Sequence, residues 1–276
     1  SQDRFFRAKL ADDLAEELRT PTAAALQLRG VIADGNDVRR ANRIEVLGVD
    51  ERFFAIGEGQ NPFTGDGSEG VVLNEPLAAT LGVRAGDEVV VRIERPSLMP
   101  RDLPLTPDSD LSIAFRLGVR AIASESDFGR FSLQANQAAP LNAFVPLTWI
   151  QQKIGYAGEA NLLLVASNPN RNVTPAEVSE AIKKRWQLAD AGLELRRLEG
   201  QGVLEVRSKQ VFIDESLGRS AMNAADGSVG ILTYFVNELR RGEKATPYSM
   251  VTAMGPAPQA GGIIPADMQD DEILIN

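Results

Sequence analysis

Few side chains in this sequence are placed to do covalent chemistry. Ser208 stands next to Lys209, but neighbours on a strand point to opposite faces, so the two cannot form the hydrogen-bonded dyad that activates a serine. Carboxylates stand side by side at Asp12-Asp13, Asp214-Glu215 and Asp270-Asp271. Adjacent acids of this kind read as solvated surface rather than as an acid and base facing one substrate. Asp66 and Glu69 offer oxygens to a hard cation, yet the glycine-rich run 57–70 that carries them lacks the spacing of a calcium loop. The same run has neither the lysine nor the strand-to-helix placement of a phosphate-binding loop. With no histidine and no cysteine, imidazole bases, thiolate nucleophiles, disulfides and cysteine-held clusters are excluded. The expected catalytic, cofactor-binding and metal-binding residues are therefore none, and the chain reads as not an enzyme.

The elements that would position any site come from a chain of 276 residues, 43% of them hydrophobic and 24% charged. These fractions are ordinary for a folded protein, and the length suits one or two domains. A net charge of −9 argues against nucleic acid, because affinity for a phosphate backbone comes from clustered Lys and Arg. No apolar run approaches the roughly 20 residues needed to span a bilayer.

Phe6, Leu10, Leu14 and Leu18 recur every four residues and predict an amphipathic helix over residues 3–19, stopped by Thr20-Pro21. Strands are expected at 25–32 and 43–49 around the turn Asp34-Gly35-Asn36, an early hairpin. After the loop at 57–70, residues 71–94 read as strand, helix, turn, strand: Asn74 caps a helix over 75–81, Gly82 ends it, and Ala85-Gly86-Asp87 turns into the next strand. A proline-rich loop is expected at 96–110, strands at 112–123 and 161–166, and a helix from 147 to 154. Thr174, Pro175 and Glu177 open a helix in which Val178, Ile182, Trp186 and Leu188 share a face. Further strands are expected at 193–198 and 203–213.

The chain echoes itself. Residues 69–74 and the final six, 271–276, both run acid, any residue, three aliphatics, asparagine. An apolar strand ending in glycine, 44–48 and 251–255, precedes each asparagine by 26 and 21 residues. Before these come 25–42 and 230–247, each a strand followed by a turn bearing Asn and Arg-Arg. A second copy of one module is thus expected to start near residue 201 and to be unfinished, as in a piece cut from a longer protein.

The segments GVDERFF (48–54), VVLNEPLAATLGVRAGDEVVV (71–91) and AFVPL (143–147) resemble the extracytoplasmic MacB-like periplasmic core domain of FtsX-like ABC transporter permeases. Gly48, Asp50 and Phe54 match that family's glycine-acid-aromatic turn, Leu81 and Gly82 the end of its small helix, and Gly86 and Asp87 its Gly-Asp turn. Ala121 departs from it, standing where the family favours glycine. The resemblance implies an α+β fold of mixed sheets with short and amphipathic helices and two subdomains. It places the core module at 1–200, with 68–142 as an inserted subdomain, and leaves 201–276 as the second, incomplete module or an extension of the first. It further implies a non-catalytic part on the periplasmic face of a bacterial inner membrane, coupling cytoplasmic ATP hydrolysis to export or extraction of a lipid, lipoprotein, peptide or drug by conformational change. The implied partners are a cytoplasmic ATPase subunit reached through transmembrane helices outside this sequence, a second permease copy forming a dimer, and a periplasmic or lipoprotein partner; no cofactor is implied. Two alternatives stand beside it. The unit 77–91 also resembles the Gly-Asp turn of double-psi barrels, a small-ligand or peptide-binding adaptor type, which requires the 71 and 89 strands to lie in one closed sheet with a pseudo-twofold partner. The other is a hydrolase built on the carboxylates or on Ser208 and Lys209.

Overall fold

A computed structural model describes residues 4–57, 59–63, 69–96, 112–133, 138–167, 171–200, 202–208, 213–254, 264–265, 267–269 and 272–275. Asp66, Lys209, the Asp270-Asp271 pair, Gly255, Gly261, Gly262 and all but the first residue of the loop expected at 96–110 lie outside them. In chain order the elements are β1 (Phe6–Arg7), α1 (Leu10–Leu18), β2 (Thr22–Asp34), β3 (Arg40–Val49), α2 (Glu51–Ala55), β4 (Val71–Asn74), α3 (Glu75–Leu81), β5 (Glu88–Glu94) and β6 (Ser112–Ala123). There follow β7 (Asn142–Pro146), α4 (Leu147–Ile154), β8 (Glu159–Ala160), β9 (Leu162–Val165), α5 (Pro175–Arg185), β10 (Leu193–Leu198), β11 (Val203–Ser208), α6 (Glu215–Met222), β12 (Ile231–Arg241) and β13 (Lys244–Met254). The fold is α+β, with mixed sheets and short helices, and strand residues outnumber helical ones.

The chain divides into two compact units, Ser1–Leu195 and Arg196–Asn276. In the first, hydrogen-bonded neighbours run β3-β7-β4-β6-β5-β2, and β2 also pairs with β3, so six strands close into a ring. Strand alternation sends one set of side chains inward. Leu28, Ile32, Ile44, Val46, Val71, Leu73, Val89, Val91, Ile93, Leu117, Val119 and Val145 are all buried there in one cluster. Beyond the ring, the first residues of β2 continue into β9, with Thr22 opposite Val165 and Ala25 opposite Leu162. Closing so small a ring demands close backbone approach at Gly30, where the register of β2 slips: a Cβ there would sit 2.6 Å from the Arg92 carbonyl oxygen.

The pairings around this ring bear on the double-psi alternative. Starting at β2–β3 they run antiparallel, parallel, antiparallel, parallel, antiparallel, antiparallel. A twofold axis through the β4–β7 and β2–β5 pairings exchanges β2 with β5, β3 with β6 and β4 with β7, and every pairing then falls on one of its own kind. The β4 and β5 strands thus share a closed sheet with a pseudo-twofold pairing pattern, both features which that alternative required.

Two apolar layers pack outside the ring. Phe53, Phe54, Phe128, Phe131 and Phe144 form a cluster with Leu47, Val49 and Val72, with Phe53 at its centre. Leu10, Leu14 and Leu18 of α1 pack with Val178, Ala181 and Ile182 of α5 and with Leu163 and Val165 of β9. The helix expected over 3–19 begins only at Leu10, because the Phe6–Arg7 backbone pairs with β8 and the Ala8 amide donates to the Gly158 carbonyl. Trp186 and Leu188 leave the expected face of α5. The helix stops at Arg185, Trp186 turns to extended backbone, and the two side chains are 45% and 48% exposed.

In the second unit β12 and β13 form a hairpin paired from Ile231–Met254 to Arg241–Lys244. Asn237 and Arg240-Arg241, expected in a turn, lie within β12. The division between units falls inside β10, which pairs with β11. Among the described residues of the second unit none is fully buried, and Ile231, Phe235, Tyr248 and Met250 are exposed.

Candidate functional site

The three motif segments build connected corners of the first unit. At the end of β3, Gly48 lets two elements meet: a Cβ there would lie 2.5 Å from Ile150 Cγ2 and 3.2 Å from Leu26 Cβ. Asp50 then caps α2, accepting from the Arg52 amide at 3.0 Å, and Phe54 goes into the phenylalanine cluster. Asn74 caps α3 and Leu81 is buried, while Gly82 ends the helix in the left-handed region at φ 66°. At the Gly-Asp turn the Gly86 amide donates to the Val119 carbonyl and the Val119 amide to the Asp87 carbonyl, both at 2.8 Å, stitching the turn to β6. Ala121 packs at the margin of the phenylalanine cluster.

Asn74 does more than cap. Fully buried, its Oδ1 accepts from the amides of Leu77 (3.2 Å) and Asn142 (3.1 Å), and its Nδ2 donates to the carbonyls of Gly129 (2.6 Å) and Pro140 (2.7 Å). One side chain thus holds together the start of α3, the entry to β7 and the turn after β6.

The densest charge lies along α1. Arg52 Nε and Nη2 donate to Asp50 Oδ2 at 2.9 and 2.6 Å, and its Nη1 bonds to Asp12. Burial opposes the charge on Arg52, but the bonds to Asp50 and Asp12 outweigh it and raise its pKa above the ordinary arginine value. Asp13, in the same turn of α1, pairs with Arg7 at 3.3 Å. Arg7 also makes a two-pronged bond to Asp190, Nε to Oδ1 at 2.9 Å and Nη2 to Oδ2 at 2.8 Å. The Asp190 side chain has no exposed surface, and it also accepts from the amides of Arg7 and Gln187. The Asp190 hydrogen bond is the main cause that raises the Arg7 pKa. At the far end of α1, Glu17 accepts from Lys184 Nζ at 2.5 Å and from Arg185 Nη2 at 2.8 Å. Hydrogen bonds from Lys184 and then Arg185 hold the Glu17 carboxyl below the usual glutamate value. Helix α1 is therefore tied by ions at both ends and by its leucine stripe between them.

A cleft of about 390 Å³ opens at the Arg52 corner, lined among others by Asp12, Asp50, Arg52, Phe63 and Thr148. Asp12, Asp50 and Arg52 satisfy one another there, beside Glu51, which suits a joint better than a reaction centre. Asp12 and Asp13, expected as free solvated surface, are instead bound by Arg52 and Arg7. Asp214 caps α6, accepting from the Ser216 amide, and Glu215 pairs with Arg219. Ser208 ends β11. Among the described residues no three Asp or Glu side chains gather to hold a metal ion, and no helix is long and apolar enough to cross a membrane.

The roles of Arg7, Glu17, Lys184, Arg185 and Asp190 escaped the sequence reading because their partners are distant in the chain. Arg52 left one signal, its place two residues after Asp50 inside the GVDERFF segment.

No family model matches the chain, and no curated protein matches it. Among solved structures it is similar to the extracellular domain of the noncanonic ABC-type transporter YknZ from Gram-positive bacteria, at 9% identity and a TM-score of 0.42, over 68% of this chain and 83% of that one. It is also similar to the periplasmic region of MacB from Actinobacillus actinomycetemcomitans, at 14% identity and a TM-score of 0.42, over 80% of this chain and 84% of that one.

Proposed function

We propose that this chain is an extracytoplasmic, MacB-like module of an ABC transporter permease. It relays motion driven by a cytoplasmic ATPase subunit to a lipid, lipoprotein, peptide or drug at the periplasmic face of the membrane, and it works beside a second permease copy. The observation that carries this reading is the fixing of α1. Ion pairs at its first and last turns and buried leucines between them make the opening helix a rigid extension of the ring, so a force applied at the N-terminal end moves the unit as a body. The motif residues support it, since Gly48, Asp50, Gly82 and Asp87 all serve to join elements. In this reading residues 1–200 form one module with 68–142 inserted, and 201–276 open a second. The β12–β13 hairpin stands there as β2–β3 stands in the first. The ligand-binding alternative is favoured by ring closure and by the pseudo-twofold pairing pattern, but the ring interior is filled with side chains rather than open to a ligand.

The absence of cysteine provides a direct test. Val38, 79% exposed in the β2–β3 turn, is replaced by cysteine in the natural full-length gene product, any cysteine elsewhere in it being changed to serine. Labelling of intact cells by a membrane-impermeant maleimide, with co-purification of an ATPase subunit, is the expected result. Labelling only after lysis, or turnover of ATP or an ester by the purified chain, would overturn the proposal.

A further inference from the structure

On the outer face of the ring, far in chemistry from the paired charges of α1, three arginines surround a small apolar floor. The strand register puts them there. Arg40 of β3 lies opposite Ala33 of β2, Ala33 opposite Val90 of β5, and Val90 opposite Arg116 of β6. One row along, Val31 lies opposite Arg92. These side chains, with Gly35 and Asp37, line a cleft of about 180 Å³.

The guanidinium groups are differently held. Arg116 Nη1 donates to the Gly35 carbonyl at 3.3 Å and to Glu88 at 3.4 Å, a weak pair that leaves its other nitrogens open. Arg40 and Arg92 have no carboxylate partner among the described residues, although the chain carries an excess of acid, 38 to 29. Where acidic groups are plentiful, two arginines left unpaired around one cleft form a local field opposite in sign to the chain as a whole.

From this arrangement we infer a binding site for a phosphate group. Even with Arg116 set against Glu88, Arg40 and Arg92 face a single lining acid, Asp37, so the cleft keeps a net positive charge that suits an anion. Guanidinium forks match the tetrahedral oxygens of phosphate and grip them in pairs. The floor of Val31, Ala33 and Val90 gives the carbon side of a phosphate ester an apolar surface to lie on. The group arrives either on a free phosphate compound or on a lipid headgroup. The site is independent of the proposed transport role, being built from ring residues that take no part in fixing α1.

The test is titration of the purified chain with inorganic phosphate, followed by backbone amide shifts at Val90 and Arg92, beside titration with acetate and with phosphatidylcholine vesicles with and without phosphatidic acid. The variants are Arg40→Ala and Arg92→Ala, with Arg130→Ala as a control at an exposed arginine paired elsewhere with Glu125. Saturable shifts with phosphate at low millimolar concentration, weakened about tenfold or more in Arg40→Ala and Arg92→Ala but not in Arg130→Ala, are expected. Binding to phosphatidic acid vesicles without response to free phosphate also supports the site and assigns the lipid as its source. The inference is overturned if neither phosphate up to about 10 mM nor the vesicles bind. It is equally overturned if acetate binds as well as phosphate, or if all three variants bind like the wild type.

Discussion

Asn74 offers the sharpest test of how the first unit is held together. In Asn74→Ala the side chain that spans four backbone groups is gone. The Gly129 and Pro140 carbonyls lose their donor, the buried Asn142 amide loses its acceptor, and α3 loses its cap. A lost cap costs about 1 kcal/mol. Each buried group left without a partner costs about 1–3 kcal/mol, reduced where water reaches it, as it can near half-buried Pro140. A loss of about 3–5 kcal/mol follows. In Asn74→Asp the accepting oxygen stays, so Leu77 and Asn142 keep their partner, but the other oxygen now faces two carbonyls at the positions Nδ2 served. That geometry favours the protonated acid, which donates to one carbonyl, so the folded-state pKa of the new Asp rises above its unfolded value near 3.9. Below the unfolded value both states hold the proton and no ionisation penalty exists. As pH rises above it, the folded state must either keep the proton or accept a buried charge. The stability gap from wild type should therefore widen with rising pH, by about 1.4 kcal/mol per unit, until the folded pKa is passed. Urea unfolding followed by tryptophan fluorescence measures both effects, since Trp149 and Trp186 both lie in the first unit and Trp149 is buried in the ring core. Asn74→Ala within 1 kcal/mol of wild type, or a gap for Asn74→Asp that does not change with pH, would refute this account of the junction.

Gly48→Ala should destabilise the first unit by about 1–3 kcal/mol, because the new methyl meets Ile150 Cγ2 and Leu26 Cβ inside ordinary contact distance; the midpoint of urea unfolding checks it. Glu17 is held in its charged form by Lys184 and Arg185, so its folded-state pKa lies below its unfolded one. Its contribution is complete above the unfolded value and is lost as pH falls through the folded value. The melting temperature should therefore decline on acidification below the ordinary glutamate range, and Glu17→Gln should make that decline shallower, as thermal scans across pH will show.

The local elements were legible where a short-range device marks them. Asn74, Pro76 and Gly82 fix both ends of α3, and the structure bounds it at Glu75–Leu81 as expected. Thr174, Pro175 and Glu177 likewise start α5, with both halves of the capping box in place. The leucine stripe of α1 was right, but its start was not, since nothing in the sequence of Phe6 and Arg7 announces that β8, more than 150 residues on, takes their backbone. Ring closure was legible only through the Gly-Asp turn at 86–87, which raised the barrel alternative. Alternation shows that β2, β4, β5 and β6 each have a buried face, but not that β2 pairs on both edges. At the site, Asp50, Gly82 and Asp87 could be picked out because each acts on neighbours within a few positions, whereas Gly48, which meets Leu26 and Ile150, stood out only through the family resemblance. The ion pairs of α1 join residues as far apart as Arg7 and Asp190, and the arginine cleft joins four strands. Single-sequence patterning carries no term for such meetings.

The division of labour between apolar and polar contacts bears on how the first unit would transmit movement in the role proposed above. Apolar side chains fill the ring, but hydrophobic burial is indifferent to small slides between layers, and a layer held only by leucines can shift under load. The directional contacts sit where sliding would matter: Arg7 between α1 and Asp190, Arg52 between α1 and α2, Glu17 between α1 and α5, Asn74 between ring and turns. Asp190 is the costliest to disturb, because separating it from Arg7 leaves a buried carboxylate without its cation, a loss of about 3–5 kcal/mol with no intermediate position that recovers it. A displacement of α1 small enough to spare these bonds is carried by the whole unit, and one large enough to break them meets a steep barrier. That threshold is what the proposed relay role would need, and it comes from side chains that would be dismissed as surface charge in the sequence alone.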